Sequence, residues 1–192
     1  MKINKFITAS AILAMNLASV QIASAANTIT FKGSITDATC DVGLKYGGAA
    51  VGTAGTGTIT LDQVSKSALT AANSTAGQVP FIIIAKNCSL GTPAKTKVST
   101  NFKSSNGDSL GYLDNTAATN AATKVQFRLL DSDRSVIKVN SPTQSTTMPF
   151  VTINTTEGAD TEMVYFVEYI SVAGGATAGD ITSDVNYELM YK

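Results

Sequence analysis

Two cysteines, Cys40 and Cys88, and two small carboxylate groups, Asp131 with Asp133 and Glu157 with Asp160, are the residues whose types and spacing could do chemistry. Histidine is absent from all 192 positions. Without it a Ser-His-Asp or Cys-His nucleophilic system cannot be assembled. Two thiolates alone do not complete the four ligands of a zinc centre, so no metal is expected. The carboxylate pairs have the composition of glycosidase acids. They stand, however, in Leu130-Asp131-Ser132-Asp133-Arg134 and Glu157-Gly158-Ala159-Asp160, turn-like strings in which Asp side chains bond nearby backbone. They read as solvated turn residues. Tyr46-Gly47-Gly48 and Gly174-Gly175-Ala176 lack the Lys-Ser/Thr and the strand-to-helix setting of a phosphate loop, and read as turns. Neither an enzymatic activity nor a cofactor is expected.

The two cysteines point instead to a structural bond, because the chain begins with an export signal. Lys2 and Lys5 precede an uncharged stretch over 6–22 that ends in Ala23-Ser24-Ala25, the pattern of a secretory signal peptide. A membrane span would need about 20 predominantly apolar residues, and Thr8, Ser10, Asn16, Ser19 and Gln21 interrupt this run. Cleavage after Ala25 leaves residues 26–192, long enough for one domain with a core. An even cysteine count in an exported chain reads as one disulfide, Cys40 to Cys88. Closing a loop of that length stabilises by roughly 4 kcal/mol in the chain-entropy account.

Removing Lys2 and Lys5 with the signal leaves 12 basic residues against 14 acidic ones, a net charge of −2. The cations are scattered singly, which disfavours nucleic acid and anionic membrane surfaces as partners, since both require clustered Lys and Arg.

The elements that hold these residues read as strands. Thr, Val, Ile, Tyr and Phe cluster in short runs separated by Gly, Asn, Asp and Ser, so the expected class is all-β. Strands are predicted over 28–36, 57–61, 79–86, 95–102, 124–130, 136–139, 148–154, 163–171 and 184–191. Residues 43–57 and 106–123 are expected to be loops. The run Val79-Pro80-Phe81-Ile82-Ile83-Ile84-Ala85 does not alternate, so burial on both faces is expected. The last strand alternates cleanly: Ile181, Val185, Tyr187, Leu189 and Tyr191 share one parity, while Thr182, Asp184, Asn186, Glu188 and Lys192 share the other. A terminal segment so strongly patterned has to be tied into a sheet. Ile29 and Phe31 alternate with Thr28, Thr30 and Lys32 in the same way near the expected start of the mature chain.

Several of these segments, taken in order, resemble the chaperone-usher fimbrial pilins, the family of type 1 and P pilus subunits. The opening Thr30-Phe31-Lys32-Gly33-Ser34-Ile35-Thr36-Asp37-Ala38-Thr39-Cys40 resembles the family's first strand running into its first cysteine. Phe81-Ile82-Ile83-Ile84-Ala85-Lys86-Asn87-Cys88 resembles the strand that ends at the second. Lys124-Val125-Gln126-Phe127-Arg128-Leu129-Leu130-Asp131 is similar to a mid-domain strand. Gly179, fourteenth from the last residue, and the penultimate Tyr191 have the spacing of the family's β-zipper.

The resemblance implies an immunoglobulin-like β-sandwich that lacks its last strand and is completed by a donor strand from a neighbouring subunit. It implies a signal peptide at 1–25, a donor extension at 26–32 and a pilin domain at 33–192. Asn27, Ile29 and Phe31 then form the donor face. Gly179, Val185, Tyr187, Leu189 and Tyr191 line the groove and meet a periplasmic chaperone, whose cations hold the carboxylate of Lys192. An outer-membrane usher and neighbouring copies of the subunit complete the partners, and the product is an extracellular fimbria that supports cell adhesion. The family's extension is longer than the five residues that cleavage after Ala25 leaves before Phe31, and it has Gly where Asn27 falls. Within the family the alternative is a minor or tip subunit. From another class the alternative is a single-domain glycan-binding adhesin, which would need an aromatic platform. Tryptophan is absent, and Tyr46, Tyr112, Tyr165 and Tyr169 do not cluster in sequence.

Overall fold

The computed structural model describes residue 29 and residues 33–192. The expected signal peptide and, apart from Ile29, the expected donor extension lie outside the described residues. Residues Ile35–Lys192 make one compact unit, whose regular structure is almost wholly antiparallel strand, as the composition predicted.

The first strand, β1 (Thr39–Tyr46), places Cys40, Val42, Leu44 and Tyr46 on one side by simple alternation. It turns at Gly47 and Gly48, whose φ angles of 60° and 80° meet the left-handed requirement of a two-residue hairpin. β2 (Ala49–Ala50) follows, with Tyr46 opposite Ala49. Sequence reasoning assigned 43–57 to a loop. Its glycines form the turn, but the strand runs up to them. The long β3 (Ser74–Ser89) contains the predicted 79–86, and β9 (Thr161–Ser171) contains the predicted 163–171. With β5 (Leu113–Asp114), β6 (Gln126–Leu130) and β7 (Val136–Ile137) they form a sheet ordered β2-β1-β3-β9-β6-β5, with β7 beside β6. The second sheet has three strands in the order β10-β4-β8, namely β10 (Asn186–Tyr191), β4 (Lys97–Lys103) and β8 (Val151–Thr152).

Between the sheets lies one core of Leu44, Phe81, Ile83, Val98, Phe102, Leu129, Met163, Tyr165 and their neighbours. Tyr165 is at its centre, with its ring 5.7 Å from Phe81 and 5.1 Å edge-on from Phe102, and its hydroxyl accepts from Thr100 Oγ1 at 2.8 Å. A single helical turn, α1 (Gln144–Thr147), buries Gln144 against β4. The Gln144 carboxamide accepts from the Phe102 N–H at 2.8 Å and donates to the Phe102 C=O at 2.9 Å, acting as a one-residue strand at the sheet margin. Cys40 and Cys88 are joined, linking β1 to the end of β3 with Cα atoms 4.1 Å apart.

Three further expectations change. Residues 33–36 of the strand expected over 28–36 join no ladder. Phe81, Ile83 and Ala85 face the core, but on the other side only Ile84 is buried, while Pro80 is exposed and Ile82 half-buried, so the 79–85 run is covered on both faces at one end alone. Residues 57–61 keep their alternation, with Ile59 and Leu61 packed on the core, yet join no strand ladder.

Candidate functional site

β10 lies at one edge of its sheet, and its pairing fixes which of its main-chain groups are satisfied. Lys192 N–H donates to Lys97 C=O at 2.9 Å, and Lys97 N–H donates back at 3.0 Å, so residues 192 and 97 are a hydrogen-bonded pair. In an antiparallel ladder such pairs alternate with non-bonded ones. Tyr187, Leu189 and Tyr191, opposite Phe102, Thr100 and Val98, therefore direct their N–H and C=O groups away from β4. The alternation continues upstream. Thr182 C=O accepts from Thr116 N–H at 2.8 Å, Thr182 N–H donates to Asn115 Oδ1, and Asp184 C=O accepts from Ser104 Oγ. The odd-numbered residues from 181 to 191 thus present a continuous main-chain edge without a strand partner among the described residues.

The side chains on this edge are apolar but incompletely covered. Val185, Tyr187, Leu189 and Tyr191 pack on the core, and all four are only half-buried, unlike Phe81, Ile83 or Met163 in central strands. Opposite them the chain offers a second unpaired stretch. Ile59 and Leu61 pack on the same core. The carbonyls of Thr60 and Asp62 accept from the Tyr46 and Tyr169 hydroxyls at 2.5 and 3.2 Å, and 57–64 joins no ladder. Tyr187 spans toward this wall, its hydroxyl donating to Gly55 C=O at 3.0 Å. Burial pushes the phenols of Tyr187 and Tyr191 above their ordinary value of 10.0, and for Tyr191 a backbone hydrogen bond with Cys40 works against it.

Beyond the start of β10 is a cavity of about 110 Å³, lined by Val64, Leu69, Val125, Tyr169 and Ile181, with Gly179 at its margin. Gly179 is outside β10. Its φ is +148°, and a Cβ there would stand 2.4 Å from the Asn120 carbonyl, so glycine lets the chain pass against 120–122. Just after it, Ser183 shares the inward side with Ile181 and Val185. Its hydroxyl is the one buried side-chain polar atom without a hydrogen-bond partner among the described residues. Sequence reasoning did not single out Ser183 or the 57–64 wall, although the parity of Ser183 was readable.

Of the other expected site residues, Asn27 and Phe31 lie outside the described residues, and Ile29 is exposed. The tyrosines weighed as a glycan platform divide: Tyr165 is buried in the core and Tyr169 in a second cluster with Leu69 and Val125, while Tyr46 and Tyr112 are half-buried elsewhere. Among the described residues no His, Cys, Asp and Glu set is grouped to hold a metal ion.

Comparison with known proteins gives the family of the chain. A family described as fimbrial protein matches residues 29–192. The major fimbrial subunit SMF-1 of Stenotrophomonas maltophilia is 36% identical, over 88% of this chain and 94% of that one. The serotype 2 fimbrial subunit of Bordetella pertussis is 31% identical, over 93% and 95%. Among solved structures, a chaperone-usher pilus superposes with a TM-score of 0.54 at 19% identity, over 89% of this chain and 98% of the other. The P pilus rod subunit PapA does so with 0.50 at 19%, over 70% and 92%. These likenesses show the fold.

Proposed function

Because the chain belongs to the fimbrial protein family and is a structural subunit of a fibre on the cell surface, we propose that it polymerises by strand addition into the groove between β10 and residues 57–64. The observation that carries this reading is the main-chain edge of β10, unpartnered among the described residues, with Val185, Tyr187, Leu189 and Tyr191 half-buried beside it. Such an edge is a template for another chain's strand. An added strand supplies main-chain hydrogen bonds for affinity and alternate side chains for register.

The donor is the neighbouring subunit's own N-terminal segment, with Asn27, Ile29 and Phe31 facing the groove after removal of a signal peptide at 1–25. The donor continues past residue 32 into the 33–192 domain. Ile35 has the same parity as residues 27, 29 and 31, is 103% exposed, and lies in a stretch, 33–38, that joins no ladder. A donor over 26–35 spans about 33 Å at strand rise, comparable with the open edge from 181 to 191. Laid antiparallel to β10, it brings Ile35 to the cavity by Ile181. Ahead of assembly a periplasmic chaperone fills the groove, meeting Gly179, Val185, Tyr187, Leu189 and Tyr191 and holding the Lys192 carboxylate, and an outer-membrane usher exchanges it for the donor. The subunit acts by binding alone, without catalysis, and the fibre supports adhesion.

Mass spectrometry and unheated SDS gels of fibres sheared from the surface test this. The full chain is expected to give a ladder in steps of one subunit, and deletion of 26–35 to abolish it while the chaperone-bound subunit still accumulates. Fibres of ordinary length from the deleted chain would overturn the reading.

A further inference from the structure

The stretch that leads into β10 is held at Asp184. Its carbonyl accepts from Ser104 Oγ at 2.7 Å, and its carboxylate accepts from Asn106 Nδ2 at 3.0 Å. Ser104 Oγ in turn accepts from the Asn106 N–H at 3.0 Å. The Asn140 side chain brackets Ser104, accepting from its N–H at 3.0 Å and donating to its C=O at 2.8 Å. The turn after β4 and the approach to β10 are thus one polar network, in which Asn106 alone among the described residues bonds the Asp184 side chain.

Packing favours glycine next to this asparagine. A Cβ at Gly107 would stand 2.7 Å from Asn140 Nδ2, which its bond to Ser104 fixes in place. The two requirements set Asn directly before Gly, a pair that occurs nowhere else in the chain. The main chain also leaves the Gly107 nitrogen free. Asp114 N–H donates to Asn106 C=O and Asp108 N–H to Tyr112 C=O, each at 2.8 Å, and these bonds flank a non-bonded Gly107–Leu113 pair. The Gly107 N–H accordingly has no acceptor among the described residues.

We propose that Asn106 is a site of spontaneous modification, at which its side chain closes on Gly107 and is converted from a carboxamide to a carboxylate. The Gly107 nitrogen gives up its proton and attacks Asn106 Cγ. A new N–Cγ bond forms, the Cγ–Nδ2 bond breaks, and Nδ2 takes a proton and leaves as ammonia. Water then opens the five-membered imide at one of its two carbonyls, giving aspartate or isoaspartate. No atom changes oxidation state, and water is the sole co-reactant. Glycine, without a Cβ, is the residue that most easily lets the nitrogen approach.

Either product carries a negative charge where an amide donor met Asp184. Asp108 and Asp114 also lie at this turn, sharing the Gln126 carboxamide, and Lys103 of β4 is already held by Glu188 at 3.5 Å. The attraction at residue 184 therefore becomes a repulsion. Because the ammonia is lost, the product accumulates, and the hold on the approach to β10 weakens with the age of the subunit. None of this depends on which strand completes the groove.

Peptide mass mapping of the folded mature chain, incubated in neutral buffer at physiological temperature, provides the test. Asn106 is expected to lose its amide about tenfold faster than Asn115 or Asn140, each followed by a residue with a Cβ, and to yield both acid isomers. Asn106→Asp is expected to lower the melting temperature by about 2–4 °C at low salt and by less at high salt, and adding Asp184→Asn to recover most of that loss. An Asn106 amide that outlasts those of Asn115 and Asn140 would overturn the modification, whether or not the variants fold. A single variant that melts with the wild type, or a double variant without recovery, would overturn its effect on β10.

Discussion

The Tyr187 hydroxyl donates to the Gly55 carbonyl at 3.0 Å, across 132 positions of sequence. It bridges β10 to the stretch just before residues 57–64. Tyr187→Phe removes this bond and leaves the ring packing intact. The expected cost is about 1 kcal/mol, a fall of roughly 2–4 °C in melting temperature for a domain of this size, read by circular dichroism on the chaperone-free subunit.

Ser183 gives the opposite sign. Its hydroxyl is buried and unpartnered among the described residues, so Ser183→Ala is expected to leave the free subunit as stable or up to about 1 kcal/mol more stable. In the fibre a donor strand beside residue 183 offers a hydrogen-bond partner, so the same change is expected to lower the temperature at which fibres dissociate in SDS. A shift in the same direction in both assays would remove Ser183 from the groove account.

Gln144→Leu keeps an apolar body of similar size but withdraws both hydrogen bonds to Phe102. The Phe102 carbonyl retains a bond from Asn140 N–H at 3.1 Å, whereas its N–H is left without a partner. One orphaned buried donor costs about 1–3 kcal/mol, expected as a lower urea midpoint with an unchanged slope.

Alkaline pH is expected to destabilise the subunit. The Lys45 ammonium is held above its ordinary value of 10.5, first by its hydrogen bond to Glu162 and then by that to Asp160. Burial raises the phenols of Tyr165, Tyr187 and Tyr191 above 10.0. All four shifts mean that the folded chain holds its protons more tightly than the unfolded one. The stability they contribute is complete below about pH 10 and is lost as pH rises through the raised values. Urea titrations from pH 8 upward should show the decline, and Tyr191→Phe should make it shallower.

How far the sequence foretells this structure depends on whether the cause is local. The β10 edge was legible because alternation from 185 to 191 is a local pattern, and the Cys40 to Cys88 bond because only two cysteines exist. The second half of β1 was read as loop. Cys40, Val42, Leu44 and Tyr46 do alternate, but Gly43 and the Gly47-Gly48 pair outweighed that pattern. Residues 57–61 have a strand's alternation without a strand's ladder, since no described segment pairs with their main chain in register. The support of Phe102 by Gln144 joins positions 42 apart and has no local signature at all.

The disulfide also has a mechanical consequence. Tension drawn through the segment ahead of β1 reaches Cys40 at the second residue of that strand and passes through the covalent bond into Cys88, at the end of β3. β3 is held on both sides, by β1 and by β9. Pulling therefore shears the middle of the larger sheet, where many hydrogen bonds must break together, and cannot peel β1 away one bond at a time. A subunit with the bond reduced would give way at β1 first and lengthen under a smaller force.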